Sequence, residues 1–172
     1  MGKTDKKEKI LILVIIALGI FIALNLFKND KVTFIKDHDY LYEKAIDYLL
    51  KNDDNIDKNK DNYKMFIAYK KFGIAQDKKN IYAYMWIVSE SYYVENNELV
   101  TSTSDSIPHK ITFDKTNEKL IKDEITGEGN QRNISIKNMF PKSIQNEIID
   151  YEDNTNMQKQ VYDYYKEIVP NE

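Results

Sequence analysis

The chain has 172 residues, a formal net charge of −3 and no cysteine. The missing thiols exclude disulfides, thiol catalysis, zinc–thiolate sites and a cysteine-borne lipid anchor. Its first 28 residues carry five lysines against Asp5 and Glu8, a net of +3, so the remainder holds −6. An acidic remainder argues against nucleic acid as a partner, since that needs a basic face to meet phosphates.

Ile10–Phe27 reads ILILVIIALGIFIALNLF, with no charge and with Asn25 as its one polar side chain. At a helical rise of ~1.5 Å per residue it spans roughly 27 Å, close to the ~30 Å hydrocarbon core of a bilayer. Lys9 and Lys28 flank it, placed to reach the headgroups. The run is longer than the ~7–15 apolar residues of a signal-peptide core. No small-x-small cleavage pattern follows it, because Asn25-Leu26-Phe27 runs into Lys28-Asn29-Asp30. Ala17-Leu18-Gly19 has suitable sizes but is followed by Ile20-Phe21-Ile22. The expectation is an uncleaved anchor in the cell membrane. Lysines are balanced on its two sides. A long domain crosses largely regardless of charge, whereas a short tail with four lysines does not, so the N-terminus is expected inside and the domain outside. The expected plan is a basic tail (1–9), a transmembrane helix (10–28), a juxtamembrane linker (29–38) and an extracytoplasmic domain (39–172).

From Asp39 the pattern turns helical, with Leu41, Ala45, Tyr48 and Leu49 on one face and Asp37 or Asp39 as the cap. Asn52–Asn62 is a polar tract, expected as a solvated loop. Lys64–Ala75 reads as a strand. Ile81–Val94 reads as a long central strand covered on both sides, because residues of both parities are apolar. Asn96-Asn97 makes a tight turn, asparagine accepting positive φ. Glu98–Thr103 is a strand that Ser104–Pro108 breaks. His109–Asp114 and Lys119–Thr126 form a hairpin around Lys115–Glu118, and Gly127–Asn130 ends the sheet. Two helices follow. Pro141 suits the first position of one, with Ile144 and Ile148 four apart. Met157, Val161, Tyr164, Tyr165 and Ile168 make the apolar stripe of the other. The fold class is therefore α+β: a transmembrane helix, one helix, a curved antiparallel sheet of about five strands, and C-terminal helices packed with the first on one face of the sheet.

Candidate chemistry is sparse. Asp53, Asn55, Asp57, Asn59 and Asp61 occupy alternate positions of a calcium-loop frame. Lys58 stands where that frame needs glycine and Lys64 where it needs glutamate, so the tract reads as a solvated loop rather than a metal site. His38 lies between two aspartates and His109 follows Pro108, but no nucleophile motif accompanies either, and both read as ordinary exposed histidines. Gly127-x-Gly129 lacks the third glycine of a dinucleotide loop and reads as a turn. No catalytic residue, metal site or cofactor is expected. Tyr82, Tyr84, Trp86, Tyr92 and Tyr93 cluster on one strand. They read either as core between sheet and helix or as a pocket or contact surface for a ligand or peptide.

The element order resembles the cystatin-like and NTF2-like group, in which a helix is wrapped by a bent antiparallel meander. The stretch IYAYMWIVSESYYVENNELV with SIPHKITF is also similar to small membrane-anchored or exported proteins of low-GC Gram-positive bacteria. That resemblance covers roughly residues 39–150 and implies a module of envelope machinery. The expected role is binding or assembly without catalysis. The expected partners are the bilayer through residues 10–27 and envelope proteins or a peptide. An anchored or secreted enzyme is the alternative.

Overall fold

The computed structural model describes residues 32–169, so the anchor expected at Ile10–Phe27 lies outside the described residues. Among the described residues no helix is long and apolar enough to cross a membrane. The chain runs β1 (Thr33–Ile35), α1 (Tyr40–Lys51), a 3-10 turn (Ile56–Asn59), β2 (Lys64–Gln76), β3 (Asn80–Glu95), β4 (Glu98–Asp114) and β5 (Leu120–Ile125). A second 3-10 turn (Gly129–Gln131) and α2 (Arg132–Met139), α3 (Lys142–Ile149) and α4 (Gln158–Tyr165) complete it. The five strands form one curved antiparallel meander in sequence order, an α+β fold.

β3 is the middle strand, and its two faces feed two separate cores, as its two-sided apolar pattern implies. Tyr84, Trp86 and Val88 point to one face, under Ile136, Phe140, Ile144, Ile148, Met157, Val161 and Tyr165 of the three C-terminal helices and their caps. Ala83, Met85 and Ile87 point to the other, with Leu41, Tyr42, Ala45 and Ile46 of α1. Helices thus cover both faces, not one. A strand apolar on both sides needs cover on both sides. Each large side chain buried this way contributes about 1.5–3 kcal/mol before entropy is counted.

Other expectations are corrected. Residues 33–35, read as part of a linker, form β1, whose Phe34 pairs with Ala75 of β2. β4 is continuous through Pro108, which lies opposite Trp86. The Pro108 carbonyl accepts from the Thr126 N–H at 3.3 Å, so the backbone groups at this position face away from β3. A missing N–H there removes no bond from the β3–β4 ladder. The strand count stays at five because β1 is gained where two expected segments of β4 merge. α1 buries Leu41, Tyr42, Ala45 and Ile46, while Tyr48 is exposed, so its buried face is rotated from the expected one. Asp39 sits at the N-cap position without capping through its side chain, which instead pairs with Lys71 at 2.8 Å. The C-terminal helices number three, not two; the additional one, α2, buries Ile136 and packs Met139 against the same core. Pro141 is the N-cap of α3 rather than its first helical residue. In the last stripe Met157, Val161 and Tyr165 are buried, whereas Tyr164 is largely exposed.

Candidate functional site

α1 has 12 residues and β3 has 16. At ~1.5 Å per helical residue and ~3.3 Å per strand residue, a helix of roughly 18 Å lies on a sheet roughly 53 Å long. It cannot cover that face. What it leaves open is a cleft of about 330 Å³. Met65 and Ile67 of β2, Ile87 and Ser89 of β3 and Ile107 of β4 make its floor. The register sets Ile67 opposite Ser89 and Ile87 opposite Ile107, which puts these side chains on one face. Leu49 and Asn52, at the end of α1, and Asp53 and Asp54 form one wall; Asp105, His109, Ile125 and Glu128 form the other.

The loop that follows α1 is held in place by hydrogen bonds. The Asn55 side chain donates to the hydroxyls of Ser91 and Ser102, each at 3.0 Å. Ser102 donates in turn to Asp57 at 2.7 Å. Asp53 accepts from the Asn55 N–H at 3.0 Å and from the Tyr63 hydroxyl. Burial, and then that bond to Asp53, push Tyr63 up to about 12. The tract read as a solvated loop is therefore pinned at Asn55, while Ile56 is 91% exposed. Asp53, Asn55 and Asp57 of the tract are engaged with the loop backbone, Tyr63, β3 and β4, and among the described residues no three acidic or histidine side chains are grouped to hold a metal ion.

His109 is buried, not the exposed histidine expected. Its Nδ1 lies 2.9 and 3.2 Å from the two carboxylate oxygens of Asp123. A carboxylate only accepts, so Nδ1–H is the donor and the ring is fixed in one orientation. The hairpin expected over 109–126 already contained this pair: Ile111 faces Asp123 and His109 faces Ile125, so 109 and 123 share a sheet face. Fourteen residues apart, they show no local motif.

The other carboxylates of the cleft are less attended. Among the described residues Asp54, Asp105 and Glu128 have no lysine, arginine or histidine in ion-pair range. Apolar floor and bare carboxylates together make a site that can take an apolar group bearing positive charge.

The five aromatic residues singled out in the sequence lie elsewhere, and none lines this cleft. Tyr84 and Trp86 are buried under the C-terminal helices, their rings 5.6 Å from Phe140 and 5.1 Å from Tyr151. The Arg132 guanidinium sits 5.6 Å from the Trp86 ring. The indole N–H donates to Ser106 at 2.7 Å, and Ser106 donates to Asp153 at 2.8 Å. Tyr82 and Tyr92 are partly buried on the same face, donating to Asp77 at 2.6 Å and to Glu90 at 2.7 Å. Tyr93 lies under the Lys60 ammonium at 5.2 Å. The five are strung along one strand rather than gathered. Of the residues that do meet, only Asp53 and His109 were weighed as candidate chemistry in the sequence: the lining comes from α1, the loop after it, four strands and Glu128, and only the missing cover over the sheet defines the site. No family model, curated protein or solved structure matches the chain.

Proposed function

We propose that the protein is a single-pass, membrane-tethered module that binds a partner outside the cytoplasm, without catalysis, as a subunit or sensor of an envelope assembly. The observation that carries the binding role is the cleft beneath the end of α1, with its apolar floor and with Asp54, Asp105 and Glu128 lacking a cationic partner among the described residues. The tether rests on the uncharged run Ile10–Phe27 and its flanking lysines. The cystatin-like or NTF2-like resemblance stays part of this proposal as an analogy of element order.

The absence of cysteine makes the test direct. Ile125 lines the cleft and is 58% exposed. With Ile125→Cys as the chain's one thiol, a membrane-impermeant maleimide should label it in intact cells, and the labelled chain should sediment with membranes at full length. Labelling that needs lysis reverses the topology. A chain in the medium that starts after residue 19 removes the anchor.

The second reading, an envelope enzyme, is favoured by one observation: His109 held by Asp123 at the cleft wall has the form of an oriented general base. Metabolites of the parent cell extract, followed by mass spectrometry with wild type and His109→Gln, separate the two. Turnover lost only in the variant would establish the enzyme.

A further inference from the structure

We propose that the occupant of the cleft is an extended basic peptide, which lies along the open edge of β4 and lowers apolar and cationic side chains onto the cleft floor. This rests on the reading of the cleft as a binding surface. β5 pairs only with His109–Phe113, so from Glu98 to Ile107 β4 has β3 on one side and, among the described residues, no strand on the other. At Pro108 the backbone carbonyl faces the β5 side, where it meets Thr126. Strand alternation turns the N–H and C=O groups of Ser106 and Ser104 to that same open side. The side chains between them, Asp105 and Ile107, line the cleft. A strand added at this edge would therefore stand alternate side chains over the cleft while its backbone completes the ladder.

Charge selects the class of peptide. Exposed strand edges are usually guarded by lysine. This chain is rich in lysine, yet Glu98–Pro108 contains none and carries Glu98 and Asp105. Asp105 and Glu128 flank the cleft without a counter-ion among the described residues. A second copy of this acidic domain would set Asp105 against the same carboxylates, so self-pairing is disfavoured. The other cleft of similar volume, beside β1, carries its own ion pair, Lys71 with Asp39 at 2.8 Å, and makes no such demand. At about 330 Å³ and open along one side, the α1 cleft suits side chains of a passing strand better than an enclosed small molecule.

The test uses the full chain in phosphatidylcholine nanodiscs with labelled isoleucine methyls, since Ile67, Ile87, Ile107 and Ile125 all line the cleft. The probe is a blocked hexapeptide of alternating valine and lysine. It should shift these four methyls saturably. Asp105→Asn with Glu128→Gln, two exposed surface changes, should weaken binding about five-fold or more while the remaining spectrum stays unchanged. N-methylation of alternate backbone amides should weaken it by a similar factor, because it removes the ladder donors. Equal binding by the glutamate version of the peptide would overturn the cation selection. Equal binding by the N-methylated peptide, or by hexylammonium, would overturn the strand edge. In all three cases the cleft remains a binding surface. If no probe moves the four methyls, the binding reading falls together with this one.

Discussion

At Gly73 the backbone takes a φ of +137°, where side-chain-bearing residues are strained. The position marks a register shift in β2, and its N–H donates to the Tyr42 hydroxyl at 3.0 Å, tying the bulge to α1. A Cβ there would sit 2.7 Å from Cε1 of Phe34. Phe34 is 41% exposed, so its ring can swing aside, whereas the φ cannot change without breaking the bulge. Gly73→Ala should cost about 1–3 kcal/mol in denaturant unfolding. Trp86 should cost more. It is 5% exposed and fills the face under the C-terminal helices, so Trp86→Ala should lose about 3–5 kcal/mol of a typical ~5–15. A loss below about 1 kcal/mol would show it to be surface. Asp77 gives a pH signature. Burial pushes its pKa up, but the Tyr82 hydroxyl, the N–H groups of Lys79 and Asn80, and Lys115 together hold it below the ordinary carboxylate value. A folded-state pKa below the unfolded one means stabilisation present at neutral pH and lost as pH falls through the folded value. Asp77→Asn should therefore be less stable than wild type near neutral pH, and in urea melts the gap should close as pH falls through the lowered value of Asp77.

Among the elements, those with a strong local signal were legible. Asn96 and Asn97 take φ of 54° and 67°, the double left-handed turn that their sequence asks for. The long β3 and the Met157–Val161–Tyr165 stripe were equally plain. β1 was not, because three residues are too few to show a period and its pairing with β2 is a tertiary event. Pro108 misled because proline is a breaker only where its N–H would have been used. The layer order was hidden because β3 is apolar on both sides, which says that both faces are covered but not by which helix. The candidate site was the least legible part, being a region that no element covers. α4 permits a sharp prediction. Its Tyr165 hydroxyl donates to the Asn62 carbonyl at 2.8 Å, with that of Tyr92 at 3.1 Å, and Met157 and Val161 are buried against the sheet. Ending the chain at Asp153 should expose this face and abolish cooperative unfolding or cause aggregation. A truncated chain with an unchanged midpoint would mean that α4 serves a partner instead.

Among the described residues the buried side chains form two separate cores on the two faces of the sheet, and β3 belongs to both. Its amides from Ala83 to Val88 should be the slowest to exchange with solvent, opening only with global unfolding, while β1 and the outer edge of β5 exchange through local opening. Native-state hydrogen exchange measures this directly; comparable rates in β5 and β3 would contradict it. The mismatch in length between α1 and the sheet has a further consequence. Along β3 the change of duty falls at Ile87: Ala83 and Met85 lie beneath α1, Ser89 beneath open solvent, and Ile87 touches both. Met65, Ile107, Ile125 and the carboxylates around them contribute little to either core. On the binding role proposed for the cleft, a lineage carrying this fold can rewrite what it recognises by substituting the uncovered half of one sheet face, while the covered half keeps the fold intact. On that reading, affinity and stability are inherited as separable traits.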